Sequence, residues 1–127
     1  MIAHGVDLVE IARIARSIDE HGEQFIRRCF TDSERDYAQS ARPPRDVQRF
    51  AARFAAKEAV MKALGTGWSN GIAWTDIEVV LKSSGAPEIV LTGKAGQIAR
   101  TMGIQKMLIS LSHTDTNATA SVIAVGD

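Results

Sequence analysis

The chain is poor in features that would settle its class at once. It has a single cysteine, Cys29, so no internal disulfide framework is open to it, and its place beside Phe30 reads as inert core packing. No apolar run approaches the ~20 residues of a membrane-spanning helix. No basic N-terminal stretch is followed by an apolar run, as in a secretory signal. The expectation is a cytoplasmic protein with no membrane contact. Net charge is lacking as well, since 15 basic residues meet 15 acidic ones. Nucleic-acid-binding domains are usually basic overall, so no nucleic-acid partner is expected. Gly65 and Gly67 follow a helical stretch instead of joining a strand to a helix, which excludes a P-loop and a dinucleotide fingerprint. Ser112 and His113 are adjacent in an extended stretch without a nucleophile elbow, which sets aside a Ser–His hydrolase.

What is present fits one domain over residues 1–127, 45% hydrophobic, with room for a real core. The charge is uneven: nine of the ten arginines precede residue 54. Charged partners should therefore meet the N-terminal half.

The periodicity predicts a strand over residues 2–9 and a helix over 10–18 with Ile11, Ile14, Ala15 and Ile18 on one face. A short helix follows Gly22. Thr31 with Glu34 three residues later is a capping-box signal for a helix ending near Ser40. Pro43 and Pro44 break that helix and open a long one, which Gly65 stops. Residues 76–81 and 88–92 read as a hairpin about the turn at Ser83–Pro87, residues 94–102 as a helix, and 106–112 and 118–125 as two strands. The fold class expected is α+β, a mostly antiparallel sheet packed with one long central helix and several short ones.

The long helix carries the chemistry. At ~100° per residue, Val47, Phe50, Ala51, Phe54 and Met61 gather on one stripe, with Glu58 in its middle and Lys62 one turn further on. A carboxylate on a buried face costs several kcal/mol unless a cation or metal compensates it. Arg45, Arg49, Arg53 and Lys57, each four residues apart, read as a basic ridge beside Glu58, suited to capture of phosphate or carboxylate. A solvated helix face is the plainer alternative.

Asp7 stands in an apolar strand on the same pleat face as Gly5 and Val9, and Gly5 leaves room beside it for a ligand. Asp7 reads either as a structural carboxylate or as half of a pair with Glu58. Such a pair of oxygen ligands suits Mg²⁺, completed by water and substrate phosphate. Lys62 either pairs with Glu58 at the ordinary i,i+4 spacing or meets a phosphate. Trp68 and Trp74 read as core or interface packing rather than base-stacking platforms.

Four stretches resemble one family in order. They are Gly5–Ile14; Phe50–Gly67, with Arg53-Phe54-Ala55-Ala56-Lys57-Glu58-Ala59 and Lys62 inside it; Trp74–Val79; and Ile109–Thr114. Together they resemble the bacterial holo-acyl-carrier-protein synthases, the small class of 4′-phosphopantetheinyl transferases, over nearly the whole chain. The resemblance implies transfer of phosphopantetheine from coenzyme A to a serine of apo-acyl carrier protein, with release of adenosine 3′,5′-bisphosphate, in support of fatty acid biosynthesis. It implies Asp7 and Glu58 as Mg²⁺ ligands and Lys62 as the neutraliser of phosphate charge. Glu58, directly or through a water on the metal, would be the base. Arg53, Lys57, Lys62, Gly65 and His113 would hold coenzyme A, and Arg13, Arg16 and Arg28 would dock the acidic acyl carrier protein. It also implies a homotrimer with active sites at subunit interfaces. Two rival readings keep part of the pattern. One is a non-catalytic binder of nucleotides or coenzyme A, which has no need of Asp7, Glu58 and Lys62 together; the other is a structural oligomer docking an acidic protein.

Overall fold

The computed structural model of the chain describes residues 1–67 and 71–126. Strand β1 (Ala3–Glu10) runs directly into α1 (Ile11–His21), and α2 (Glu23–Cys29) follows across Gly22. Helix α3 (Asp32–Gln39) starts on the expected capping box. The Glu34 backbone N–H reaches Thr31 Oγ1, and the Thr31 N–H donates to Glu34 Oε1 at 2.9 Å. Such a cap is worth about 1 kcal/mol. Helix α4 (Arg45–Leu64) ends where Gly65, at φ +75°, turns left-handed and donates its N–H to the carbonyls of Met61 and Lys62. A 3₁₀ turn (Trp74–Asp76), β2 (Ile77–Leu81), β3 (Pro87–Leu91), α5 (Gly93–Thr101), β4 (Lys106–His113) and β5 (Asn117–Val125) complete the order.

The strands form two antiparallel sheets where the sequence pattern predicted one. The first has the order β1-β5-β4, and the second is the β2-β3 hairpin. The inner face of the first sheet is made of small residues: Gly5 on β1, and Ala118, Ala120, Val122 and Ala124 at every second position of β5. Helix α4 brings six alanines of its own, Ala51, Ala52, Ala55, Ala56, Ala59 and Ala63, all buried. Small residues on both sides let the helix axis come down close to the sheet. The approach is closest at Gly5, where a Cβ would overlap the Ala59 carbonyl and lie 2.9 Å from the Ala63 nitrogen. The space beside Gly5 is therefore filled by helix backbone and does not hold a ligand.

Aromatic side chains close the core on the other side of α4. Phe30 packs on Phe50 with ring centroids 4.8 Å apart, and Trp74 stacks on Phe54 at 4.8 Å. Cys29 is buried among them. Trp74 thus takes the core role expected of it, while Trp68 lies outside the described residues. Among the described residues no helix is long and apolar enough to cross a membrane.

Candidate active site

Three elements of the sequence reading meet at one edge of α4. Asp7 points inward from β1, as the pleat predicts, and is mostly covered. The Lys62 ammonium reaches across from α4 and donates to Asp7 Oδ1 at 3.1 Å and to the Val6 carbonyl at 2.9 Å. Glu58 stands one turn before Lys62 on the same helix, half-buried. Lys62 is itself more than half exposed, so its pairing with Asp7 contributes at most about 1 kcal/mol to stability. The pairing does more for position than for folding: it holds a cation between β1 and α4, beside Asp7 and one turn from Glu58.

Glu58 is less enclosed than the centre of an apolar stripe would be. Among the described residues, the charged side chains that are buried are Glu34, Arg53 and Lys57. Lys57, expected to hold a ligand, is 0% exposed and belongs to the interior. Its ammonium pairs with Glu34 Oε1 at 2.8 Å and donates to the carbonyls of Trp74, at 3.1 Å, and Ile77. All three of its protons are thereby engaged. Burial pushes the Lys57 amine below its ordinary value, while Glu34 draws it back up. Removing one partner of such a pair costs about 3–5 kcal/mol. The predicted basic ridge therefore stops short of Lys57.

The earlier part of the ridge does reach a cavity. Arg45, Arg49 and Arg53 line a hollow of about 270 Å³ with Tyr37, Leu111 and His113. The Tyr37 ring packs against two guanidinium groups, with Arg49 Cζ 4.0 Å and Arg53 Cζ 4.3 Å from its centroid. Arg49 also donates to the Tyr37 carbonyl at 2.8 Å. Burial lowers the Arg53 guanidinium from its ordinary value, with Tyr37 and Glu34 opposing. Arg53 Nε is buried without a hydrogen-bond partner among the described residues. A hollow lined by three arginines and a histidine is arranged to receive an anion. Two of the predicted nucleotide-holding residues, Arg53 and His113, thus share one cavity. Tyr37 escaped the sequence reading because its role arises from contact between α3 and α4, which no local spacing records.

Gly65 lies just beyond Lys62 at the exposed end of α4. Arg13 and Arg16 are exposed on α1 and Arg28 on α2. The Arg13 guanidinium lies 5.5 Å from the Phe54 ring centroid. Phe54 packs against Phe25, which shares a surface hollow with His21, Gln24 and Arg28. Arg13 and Arg28 therefore frame one partly apolar surface.

Among the described residues no three His, Cys, Asp or Glu side chains cluster as a metal cage. The donor set at the α4 edge is Asp7 and Glu58. Two hard carboxylates with room for water and substrate oxygens suit Mg²⁺, which seldom uses an all-protein cage.

Residues 3–122 match the profile of the 4′-phosphopantetheinyl transferase superfamily. A holo-[acyl-carrier-protein] synthase of Koribacter versatilis is 47% identical over 123 residues, 97% of each chain. The crystal structure of the Neisseria meningitidis holo-[acyl-carrier-protein] synthase superposes with a TM-score of 0.87 at 32% identity, covering 98% of both chains. The Helicobacter pylori holo-[acyl-carrier-protein] synthase, solved in complex with coenzyme A, gives a TM-score of 0.83 at 29% identity, covering 96% of this chain and 99% of that one.

Proposed function

The chain belongs to the 4′-phosphopantetheinyl transferase superfamily, and from that premise we propose how its own residues carry out the reaction. The enzyme transfers 4′-phosphopantetheine from coenzyme A to a serine of apo-acyl carrier protein, giving holo-acyl carrier protein and adenosine 3′,5′-bisphosphate. Fatty acid biosynthesis is the use we assign to the product, and the cytoplasm the compartment. All 127 residues act as one transferase domain.

The observation that carries this reading is the Asp7–Lys62 contact with Glu58 one turn away. In the transfer, the serine oxygen bonds to the phosphorus that bears pantetheine. The bond from that phosphorus to the bridging oxygen breaks, and the leaving phosphate carries the displaced charge. Phosphoryl transfer needs positioning and charge stabilisation more than covalent chemistry. Lys62, on the rim, meets the pyrophosphate and offsets charge as it moves to the leaving oxygen. Glu58 takes the serine proton. Asp7 and Glu58 would hold Mg²⁺, which would supply neutralisation of the pyrophosphate charge. Arg53 and His113, with Arg45 and Arg49, receive the nucleotide end and its 3′-phosphate, and Gly65 lets the backbone approach the ligand. Lys57 takes no part in that grip.

Arg13, Arg16 and Arg28 meet the acidic carrier protein. The outer face of β1-β5-β4 supports a homotrimer. Val6 is 54% exposed, Leu8 67%, Leu108 45% and Ile123 38%, all on that face. Three copies joined through it would set active sites at their borders.

The test is intact-protein mass spectrometry of apo-acyl carrier protein incubated with this protein, coenzyme A and Mg²⁺, with and without chelator. Addition of one phosphopantetheine mass only when metal is present is expected. Binding of coenzyme A without any addition would leave a non-catalytic binder.

A further inference from the structure

We infer that the buried Glu34–Lys57 pair is a positioning device for Glu58, setting the rotation of α4 about its own axis; the inference rests on the transferase reading above. Glu34 accepts three hydrogen bonds from three elements. They come from the Lys57 ammonium on α4, from the Thr31 N–H at the start of α3 at 2.9 Å, and from the Val79 N–H of β2 at 2.8 Å. Lys57 adds the carbonyls of Trp74 and Ile77. No donor or acceptor in this hub is left to drift.

The hub grips α4 one residue before Glu58. On the other side the helix is gripped at Ala59 and Ala63, where β1 lies against it at Gly5. At ~100° per residue, Lys57 and Ala59 lie about 200° apart measured through Glu58, which stands about 100° from each. The two grips therefore flank the carboxylate, and only the hub is adjustable in chemistry, because the Gly5 contact is backbone on backbone. Turning α4 by about 20° would carry a carboxylate about 6 Å from the axis through about 2 Å, and a displacement of half that size can cost about a hundredfold in rate. A buried ion pair is a poor source of stability, since apolar residues of similar volume often replace it without loss. What an apolar pair cannot supply is direction: five hydrogen bonds meeting at two side chains define one helix rotation.

The test compares wild type with Glu34→Leu/Lys57→Met, which removes both charges together and so leaves neither buried alone. Fold is checked by near-ultraviolet circular dichroism and thermal melting. Transfer is followed by mass spectrometry. Mn²⁺ binding in the presence of coenzyme A is followed by the paramagnetic resonance of the free ion, which requires no turnover. A folded double variant should lose about tenfold or more in kcat and bind Mn²⁺ several-fold more weakly, with the KM for carrier protein unchanged. A merely structural pair would move the melting temperature and leave those quantities in place. A folded variant within twofold of wild type in both kcat and Mn²⁺ binding would overturn the inference. Should the double variant not fold, Glu34→Asp, which keeps both charges and shortens the reach by one methylene, is held to the same criteria. If neither folds, the pair is a fold determinant and the inference falls. Wild type that transfers beside an equally active variant defeats this inference alone; wild type that transfers nothing defeats the transferase reading and this inference with it.

Discussion

Gly5 and Ala59 meet backbone to backbone, with no room between them for a methyl group. Gly5→Ala is therefore expected to force β1 away from α4. The atoms in the way are main-chain atoms that cannot rotate aside, so the cost should reach about 3 kcal/mol or more. Urea denaturation measures it. Because the same strand carries Asp7, a surviving fraction of folded variant should also transfer poorly.

Glu58 and Lys62 should fail in different ways. Glu58→Gln keeps the shape of the side chain and should abolish metal-dependent transfer with little change in melting temperature. Full activity in that variant would defeat the metal and base assignment. Lys62→Ala should lower kcat by about 10²-fold while coenzyme A binding, followed by calorimetry, changes only slightly. A pure binding defect would contradict a role in the transition state.

Arg13→Glu reverses a charge on the proposed docking surface. It should lower kcat/KM for carrier protein by about tenfold at low ionic strength, and by less as salt is added. Coenzyme A binding should stay as it was. Carrier-protein kinetics that did not change would remove Arg13 from the docking surface.

The Cys29 thiol is raised from its ordinary value of 9.0, first by burial and further by Glu58, against the opposing pull of Arg28 and Lys57. Above pH 9 the unfolded chain then gives up this proton more readily than the folded one. Stability from this group is whole below pH 9 and is lost as pH rises from there towards the folded value. Melting temperatures measured between neutral and alkaline pH should fall over that range, less steeply in Cys29→Ala. The native thiol should resist disulfide reagents until the protein unfolds.

Much of this is legible in the sequence. Thr31 and Glu34 announced the start of α3, Gly65 the end of α4, and Ile77, Val79 and Ala118 to Ala124 alternated as strands do. The site was half legible, for reasons of helix geometry. A row of residues four apart advances 400° per step, so it drifts about 40° around the helix each time. From Arg45 to Lys57 that drift totals about 120°. The row begins exposed at Arg45 and ends inside at Arg53, 5% exposed, and Lys57. Stripe reading failed for a related reason. Alanines at positions 51, 52, 55, 56, 59 and 63 bury an arc of about 140° on α4, apart from the arc that holds Phe50, Phe54, Val60, Met61 and Leu64, so its large apolar residues do not mark the one buried face. Glu34 was readable as a cap, but its second carboxylate oxygen and its bond to Lys57 depend on β2 and α4, far away in the chain.

Strand β1 works as a reading frame of period two. Its odd positions, Gly5, Asp7 and Val9, belong to the helix and the chemistry, while its even positions, Val6 and Leu8, form a face fit for self-association. Substitution at one position leaves the other set in phase. A single-residue insertion ahead of Gly5 would shift the phase for every later position: Asp7 would be carried to the outside and bulky side chains driven against Ala59. This segment should therefore tolerate many changes of letter but no change of length, since one such shift would exchange the packed face and the exposed apolar face together.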